Sequence, residues 1–351
     1  MGVEFRAVRK VFADGTVALD GLDLAFDTGE FIVLLGPSGS GKTTACRLLA
    51  GLEEPTSGTL WVDGRDITAL PPRQRGMSMV FQNYALYAHK TVFENIAYPL
   101  RIRKTPRAEI DRMVCEIASM LRIEVQLDRR PRQLSGGQAQ RVAVARALVW
   151  QPEICLMDEP LSNLDALLRL QTRTELKRLH GELRRTFVFV THDQEEAITL
   201  GTRIAVLNEG RLVQFDTPRR IYREPASRFV AEFIGRPAMN TVDGVVEQGV
   251  FYAGAFSLPV VGRPDGPVVL GIRPEALVLR EQPTEHSIAF ELDVIEPVEP
   301  DTLLFVKKGD VSMVARIMRE VGDRGRGATV HLELPPPHRH FFAATTGERL
   351  S

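Results

Sequence analysis

Unbroken apolar runs of strand length punctuate the first two thirds of the chain. Phe31-Ile32-Val33-Leu34-Leu35, Ile154-Cys155-Leu156-Met157 and Phe187-Val188-Phe189-Val190 carry no polar position, the pattern of strands buried on both faces. Between them, apolar residues recur at helical spacing. The clearest stretch is 165–185, where Leu168, Leu176, Leu179 and Leu183 are separated by Arg, Lys and Glu. Asp165 stands at its start and predicts an N-cap. Arg203–Leu207 and Arg211–Phe215 flank Asn208-Glu209-Gly210, which predicts a hairpin with a glycine-containing turn. Strands alternating with helices predict an α/β domain with a mainly parallel sheet.

The texture changes after Phe233-Ile234-Gly235-Arg236-Pro237. Short β-rich pieces follow: Thr241–Val246, Val268–Ile272, Phe290–Ile295, Leu303–Lys307, Val311–Ile317 and Ala328–Leu334. Gly, Pro and Asp separate them and no long helical pattern intervenes, which predicts a small all-β barrel or sandwich. The expected boundary is therefore 1–235 against 236–351, and no repeat of 20–50 residues alters it.

Composition removes several classes. The chain has 351 residues, 44% hydrophobic and 25% charged, as in an ordinary folded protein, so collagen-like and disordered chains are excluded. The net charge is −1, split as +3 before residue 236 and −4 after it, so neither part has the basic excess of a nucleic-acid binder. No apolar stretch reaches the ~18–20 residues that cross a bilayer. The N-terminus shows no signal-peptide core, so the chain is expected to stay in the cytoplasm. Cys46, Cys115 and Cys155 are odd in number and widely spaced, which predicts reduced thiols. His331, His338 and His340 form no complete ligand set, so no metal is expected there.

The chemistry concentrates in three stretches. Gly36-Pro37-Ser38-Gly39-Ser40-Gly41-Lys42-Thr43 follows the strand Phe31–Leu35 and opens a helical pattern to Ala50, the context a phosphate-binding P-loop requires. Its glycines let backbone N–H groups wrap phosphate oxygens at a helix N-terminus. Lys42 would reach the β- and γ-phosphates, and the Thr43 hydroxyl would hold Mg²⁺. The run Ile154–Met157 ends in Asp158-Glu159, where Asp158 can face the metal and Glu159 can polarise a water aimed at the γ-phosphate. Leu134-Ser135-Gly136-Gly137-Gln138 opens a further helical stretch and makes a second phosphate-receptive start, or simply an N-capped helix. One nucleotide seldom needs two cradles in one chain, which points the second at another subunit.

Together these segments resemble an ATP-binding-cassette (ABC) ATPase. The P-loop at 36–43, the signature Leu134–Gln138, the Walker B segment 154–159 and the D-loop Ser162-Asn163-Leu164-Asp165 stand in the family's order. Gln82 in Val80-Phe81-Gln82 matches the Q-loop glutamine, and His192 in Val190-Thr191-His192-Asp193 the switch histidine. The resemblance implies an α/β P-loop NTPase domain with a helical subdomain over about 85–150. It also implies a head-to-tail homodimer holding two ATP molecules, each between one chain's P-loop and the other's Ser135–Gln138. Phe12 falls where the family stacks an aromatic on adenine; the alternative is a core phenylalanine of a β-hairpin. Thr44 would touch the α-phosphate, Gln82 would sense Mg²⁺, His192 would contact the γ-phosphate, Asp165 would serve at the nucleotide interface, and Glu159 would be the general base.

Three stretches narrow the kind. Asp158–Ala166, Phe233–Asn240 and Gly271-Ile272-Arg273-Pro274-Glu275 are similar to importer ATPases of the maltose and glycerol-phosphate type, over essentially the whole chain. The family's C-terminal β-domain is OB-like (TOBE), with a regulatory or dimerising role. Two transmembrane permease subunits and an extracytoplasmic solute-binding protein are the implied partners, with no nucleic acid. The implied location is the cytoplasmic face of the inner membrane. Tyr84–Val92 lies where the family grips the permease, and here Ala88 and Lys90 depart from the usual Pro and apolar residue. An importer ATPase for sulfate, ferric iron or polyamine shares the same chemistry. A soluble ABC protein acting on ribosomes or DNA is the alternative of another class.

Overall fold

The computed structural model describes residues 2–319, 321–322 and 324–350. They divide into two compact units, Met1–Arg219 and Arg220–Ser351.

The first unit opens on an antiparallel sheet. Strands β1 (Gly2–Val11) and β2 (Val17–Asp27) form a hairpin, and the strand order is completed later in the chain. Then come β3 (Phe31–Leu35), helix α1 (Lys42–Ala50), β4 (Ser57–Val62), β5 (Arg65–Asp66) and β6 (Met77–Val80). Helices α2 (Val92–Ile102), α3 (Arg107–Met120) and α4 (Gly136–Leu148) follow. The unit continues through β7 (Ile154–Asp158), α5 (Ala166–Leu183), β8 (Thr186–Thr191), α6 (Gln194–Leu200), β9 (Arg203–Asn208) and β10 (Arg211–Asp216).

Strand order in the two sheets is β2-β1-β4-β5 and β10-β9-β3-β8-β7-β6. The second sheet is parallel except for the β9–β10 hairpin. Glu209 (φ 48°) and Gly210 (φ 76°) make its two-residue turn, both in the left-handed region that matches strand twist. Helix α1 is buried between the sheets, with Ala45, Cys46 and Leu49 in one core with Leu22 and Leu24 of β2 and with Ile32, Leu34 and Val188. On the opposite face, Phe31, Phe187 and His180 of α5 meet ring to ring at 5.3–5.5 Å. Cover on both sides is why β3, β7 and β8 read as continuous apolar runs.

The second unit contains the short helix α8 (Arg228–Phe233), which follows α7 (Pro218–Arg223), and two five-stranded antiparallel sheets. One is built on Asn240–Glu247 and Gly266–Ile272, the other on Ser287–Val298, Asp301–Lys308 and Val311–Ile317. Phe251, Phe256, Leu270, Leu304 and Leu332 share its main core, and Ala231 of α8 packs with Met239, Val269 and Phe342 in a smaller one, so this unit is β-rich and consistent with the OB-like domain expected, with a short helix added. The texture change at 235 and the packing division at 219/220 differ for a physical reason. The buried Arg273 guanidinium donates to the carbonyls of Ala231, Ile234 and Tyr222, tying 222–234 to the β-domain. Strands Val250–Ala253, Phe256–Pro259 and Arg339–Ala343 are not legible in the sequence, being only four or five residues long.

His340, in Arg339–Ala343, gives unit 2 an acid sensitivity. Burial and the positive charges of Arg349, Arg273 and His338 lower its pKa from 6.5 to about 4. The unfolded chain takes up this proton below pH 6.5 and the folded one only near 4, so stability present at neutral pH is lost as pH falls through that window. In thermal melts, wild-type Tm should therefore fall more steeply from pH 6.5 to 4 than that of His340→Gln. Parallel slopes would remove His340 from the account.

Candidate nucleotide site

Parallel, in-register pairing brings the chemistry to one edge. Leu35 pairs Thr191, and Val190 pairs Asp158, so β3, β8 and β7 end side by side. At about 4.8 Å per strand, the segments that follow lie within about 10 Å across the sheet. Ligands of open α/β sheets bind at such carboxyl ends.

After β3 the chain turns through residues 36–41. A Cβ at Gly36 would strike the Leu207 carbonyl and Ser40 Oγ, and one at Gly41 (φ 97°) would strike the Ala18 carbonyl. These two glycines are thus required by the fold, whereas Gly39 (φ 79°) and Ser38 face solvent. Ser40 is buried, and its carbonyl accepts from Gly210 N at 3.3 Å, so the β9–β10 turn props the loop. Pro37 receives Lys42 Nζ on its carbonyl at 2.7 Å, with Ser40 Oγ at 3.4 Å. Burial lowers the Lys42 pKa, while the charges of Glu159 and Asp158 pull it back up. Helix α1 has no side-chain cap on its first turn, unlike α2, α4, α5 and α6, capped by Thr91, Ser135, Asp165 and Asp193. Its N–H groups and the buried ammonium suit an anion. Thr44 follows in the same first turn, half-buried.

Thr43 Oγ1 donates to Asp158 Oδ1 at 2.8 Å, across 115 positions of sequence. Burial raises the Asp158 pKa, against the Thr43 hydrogen bond and the charge of Arg47. A hydroxyl beside a desolvated carboxylate is an oxygen donor pair fit for Mg²⁺, which takes few protein ligands and fills its octahedron with phosphate and water. Among the described residues no group of three or more His, Cys, Asp and Glu is placed to hold a metal ion. The cysteines are free, and burial raises Cys155 to about 12.

Glu159 follows in the left-handed region (φ 45°), a conformation that costs a non-glycine residue on the order of 1–3 kcal/mol. Its N–H donates to Val190 O at 3.1 Å and its carbonyl accepts Ser162 Oγ at 2.9 Å. The carboxylate stands with Oε1 3.4 Å from His192 Nδ1. Glu159 and His192 are thus one pair in space. Gln82 is exposed, with Nε2 3.4 Å from Ser162 Oγ and its carbonyl accepting Asn163 Nδ2 at 3.0 Å. It therefore meets the D-loop here, and a metal role requires its carboxamide to swing from Ser162.

A cavity of about 40 Å³ lies behind the pair, lined by Ser162, Arg169, Thr191, Asp193 and Glu196. Buried Glu196 accepts Thr191 Oγ1 at 2.6 Å, and burial raises its pKa. Arg169 reaches Leu164 O at 3.0 Å and stands 3.8 Å from Glu196. No sequence motif marks Arg169 or Glu196. Asp193 three residues before Glu196, at a helix start, was the one local signal.

Asp165 caps α5 through Leu168 N at 2.9 Å. Ser135 caps α4 in a reciprocal box with Gln138, at 3.4 and 3.1 Å. Ser135 and Gly136 are exposed and Gly137 is buried. A Cβ at Gly136 would meet nothing closer than 3.6 Å, so this chain's own packing does not demand glycine there. Phe12 lies half-buried in the β1–β2 turn, its N–H on Thr16 O, with Lys10 Nζ 5.0 Å from the ring centroid. Apart from these, Phe81, Tyr87, Tyr98, Ile102 and Trp150 line a groove of about 340 Å³. Ala88 is exposed beside it, and Lys90 Nζ sits 5.7 Å over the Tyr98 ring.

A family model described as "ABC transporter" matches residues 19–162. The sn-glycerol-3-phosphate import ATP-binding protein UgpC of Salmonella typhi is 45% identical, covering 99% of each chain. The protein of the same name from Yersinia enterocolitica is 44% identical at the same coverage. Among solved structures, cbiO1 from Clostridium perfringens, part of the ABC transporter complex cbiONQ, aligns with TM-score 0.59 and 27% identity, over 63% of this chain and 90% of its own. A dimeric post-hydrolysis state of the ATP-binding cassette MJ0796 bound to ADP and Pi aligns with TM-score 0.56 and 33% identity, over 62% and 99%.

Proposed function

We propose, from the premise that this chain belongs to the ATP-binding subunits of ABC transporters, that it hydrolyses ATP to power import of glycerol 3-phosphate or a closely related polyol phosphate. The observation that carries the ATP chemistry is the Thr43–Asp158 hydrogen bond beside buried Lys42. It joins the two halves of a phosphate-and-metal site from opposite ends of the domain. Residues 36–44 cradle the phosphates with backbone N–H groups, and Lys42 leaves the Pro37 carbonyl for phosphate oxygens. Thr43 and Asp158 would hold Mg²⁺, with Gln82 joining them, and the ion when bound neutralises charge on the β- and γ-phosphate oxygens. Glu159 takes the proton of a water whose oxygen attacks the γ-phosphorus as the bond to the bridging oxygen breaks, giving ADP and phosphate. His192, 3.4 Å from Glu159, holds that carboxylate and the γ-phosphate in register. Phe12 offers its ring face to adenine.

The second cradle supports a head-to-tail homodimer. Ser135 and Gly136 are exposed at a helix start, and a Cβ at Gly136 would meet nothing in the same chain closer than 3.6 Å. Asp165 lies on the adjoining D-loop. The dimeric MJ0796 cassette supports the same arrangement. The aromatic groove beside 84–91 suits a helix from a membrane permease subunit, which supports work at the inner face of the membrane. An extracytoplasmic binding protein completes the transporter. Among the described residues no helix is long and apolar enough to cross a membrane. Full-length similarity to glycerol-phosphate importers favours that solute over sulfate, iron or polyamine.

The test is reconstitution of this chain with its permease and binding protein in proteoliposomes loaded with ATP. Uptake of glycerol 3-phosphate should exceed that of maltose, sulfate and spermidine. Transport of sulfate or spermidine instead would move the chain to the ion importers, and co-purification with ribosomes in place of permease would sink the importer reading.

A further inference from the structure

Segment 84–91, between β6 and α2, has no regular structure, yet helix side chains hold both its ends. At the near end Arg146, in the last turn of α4, donates Nη1 to Ala85 O at 2.7 Å and Nη2 to Tyr84 O at 2.8 Å. Both residues are in the left-handed region, at φ 60° for Tyr84 and 47° for Ala85. Two successive non-glycine residues persist there only when surrounding groups over-determine the backbone. A guanidinium fork on their carbonyls supplies that hold, in a geometry an ammonium cannot copy. At the far end Asn95 of α2 is fully buried. Its Oδ1 accepts Tyr87 N at 2.8 Å, and its Nδ2 donates to the carbonyls of Tyr87, Lys90 and Thr91 at 3.2, 3.3 and 2.9 Å. One side chain thus spans five residues of loop.

Helix α4 has a second end. The Ser135–Gln138 cradle lies at its N-terminus, and Ser135 to Arg146 spans roughly 16 Å of helical rise. A continuous helix moves as one body, so displacement of the cradle reaches the Tyr84–Ala85 carbonyls through two hydrogen bonds. Resting on the reading that a permease subunit docks at this segment, we propose that Arg146 and Asn95 are positioning residues for transport. Arg146 clamps the near end of 84–91 to the signature helix and Asn95 fixes the far end to α2, so that closure of Ser135–Gln138 on a nucleotide drags the docking segment with it. Both lie outside the P-loop and the Glu159–His192 pair.

Arg146→Gln, Arg146→Lys and Asn95→Ala, each in the complete transporter in proteoliposomes with glycerol 3-phosphate as probe, provide the test. ATP turnover and Tm of the isolated full-length chain report fold and chemistry. Amide exchange over 84–91 reports the clamp. Binding-protein-stimulated turnover and solute moved per ATP report coupling. For Arg146→Gln and Asn95→Ala we expect near-wild-type turnover in the isolated chain, faster exchange over 84–91, and coupling reduced about tenfold. Arg146→Lys should fall between, because it keeps the charge and loses the fork. Undiminished solute per ATP in Arg146→Gln overturns the proposal. So does a loss in the isolated chain as large as in the transporter, shared by Arg146→Lys, since that marks a merely structural arginine. Wild-type chain that fails to associate with permease overturns the docking reading and this one with it.

Discussion

Glu159→Gln should leave ATP affinity intact while turnover falls by at least about 100-fold and as much as about 10⁴-fold, the range for loss of a general base. The substitution is nearly isosteric. The left-handed backbone at 159 is retained, as are the bonds of its N–H to Val190 O and of its carbonyl to Ser162 Oγ. What disappears is the capacity to accept a proton from water 3.4 Å from His192. The defect therefore belongs in kcat with KM for ATP held. A chain that binds without hydrolysing should also accumulate as an ATP-bound dimer, visible by size-exclusion chromatography with Mg-ATP. Turnover near wild type, or a matching loss of affinity, would take the general-base role from Glu159.

Lys42→Ala should do the reverse and act on binding. Lys42 as a residue is 5% exposed, and burial already weighs against its charge, so the folded chain gains little from keeping it. Its bonds to Pro37 O and Ser40 Oγ are local ones the loop can lose. A charge-assisted hydrogen bond to phosphate is worth about 1.5–3 kcal/mol, so Kd for ATP should rise about 10- to 100-fold. Thermal stability without nucleotide should not fall. Isothermal titration and melts separate the cases: a lower Tm with unchanged ATP affinity would make Lys42 a structural residue and leave the P-loop without its cation.

These two variants sit on different kinds of information. Lys42 was legible because the P-loop is contiguous: eight neighbouring residues carry the turn, the helix start and the cation, and local steric rules act on them directly. The caps at Asp165 and Ser135 are legible for the same reason, each bonding a backbone N–H three residues on. Likewise the Glu209-Gly210 turn needs only two left-handed residues between strands. Arg169, Glu196, Arg146 and Asn95 were not legible. Their partners are carbonyls, hydroxyls and carboxylates that any residue or several residue types supply, so no spacing marks them.

By itself, then, the sequence determined most of the elements and the turn and helix start at 36–43, because propensity, capping and apolar period operate over a few residues; the boundary it put at 235 falls at 219/220 in the packing. Tertiary structure decided what those elements accomplish together. Parallel registry of β3, β8 and β7 put Thr43 on Asp158 across 115 positions, and put Glu159 against His192. It also showed that the 36–41 glycines are needed for different reasons, Gly36 and Gly41 because neighbouring carbonyls leave no room for a Cβ and Gly39 because its φ of 79° disfavours a side chain although the space beside it is open. Strand order and register arise from burial of whole faces against α1 on one side and α5 on the other, a sum over many distant residues that no short window of the chain contains.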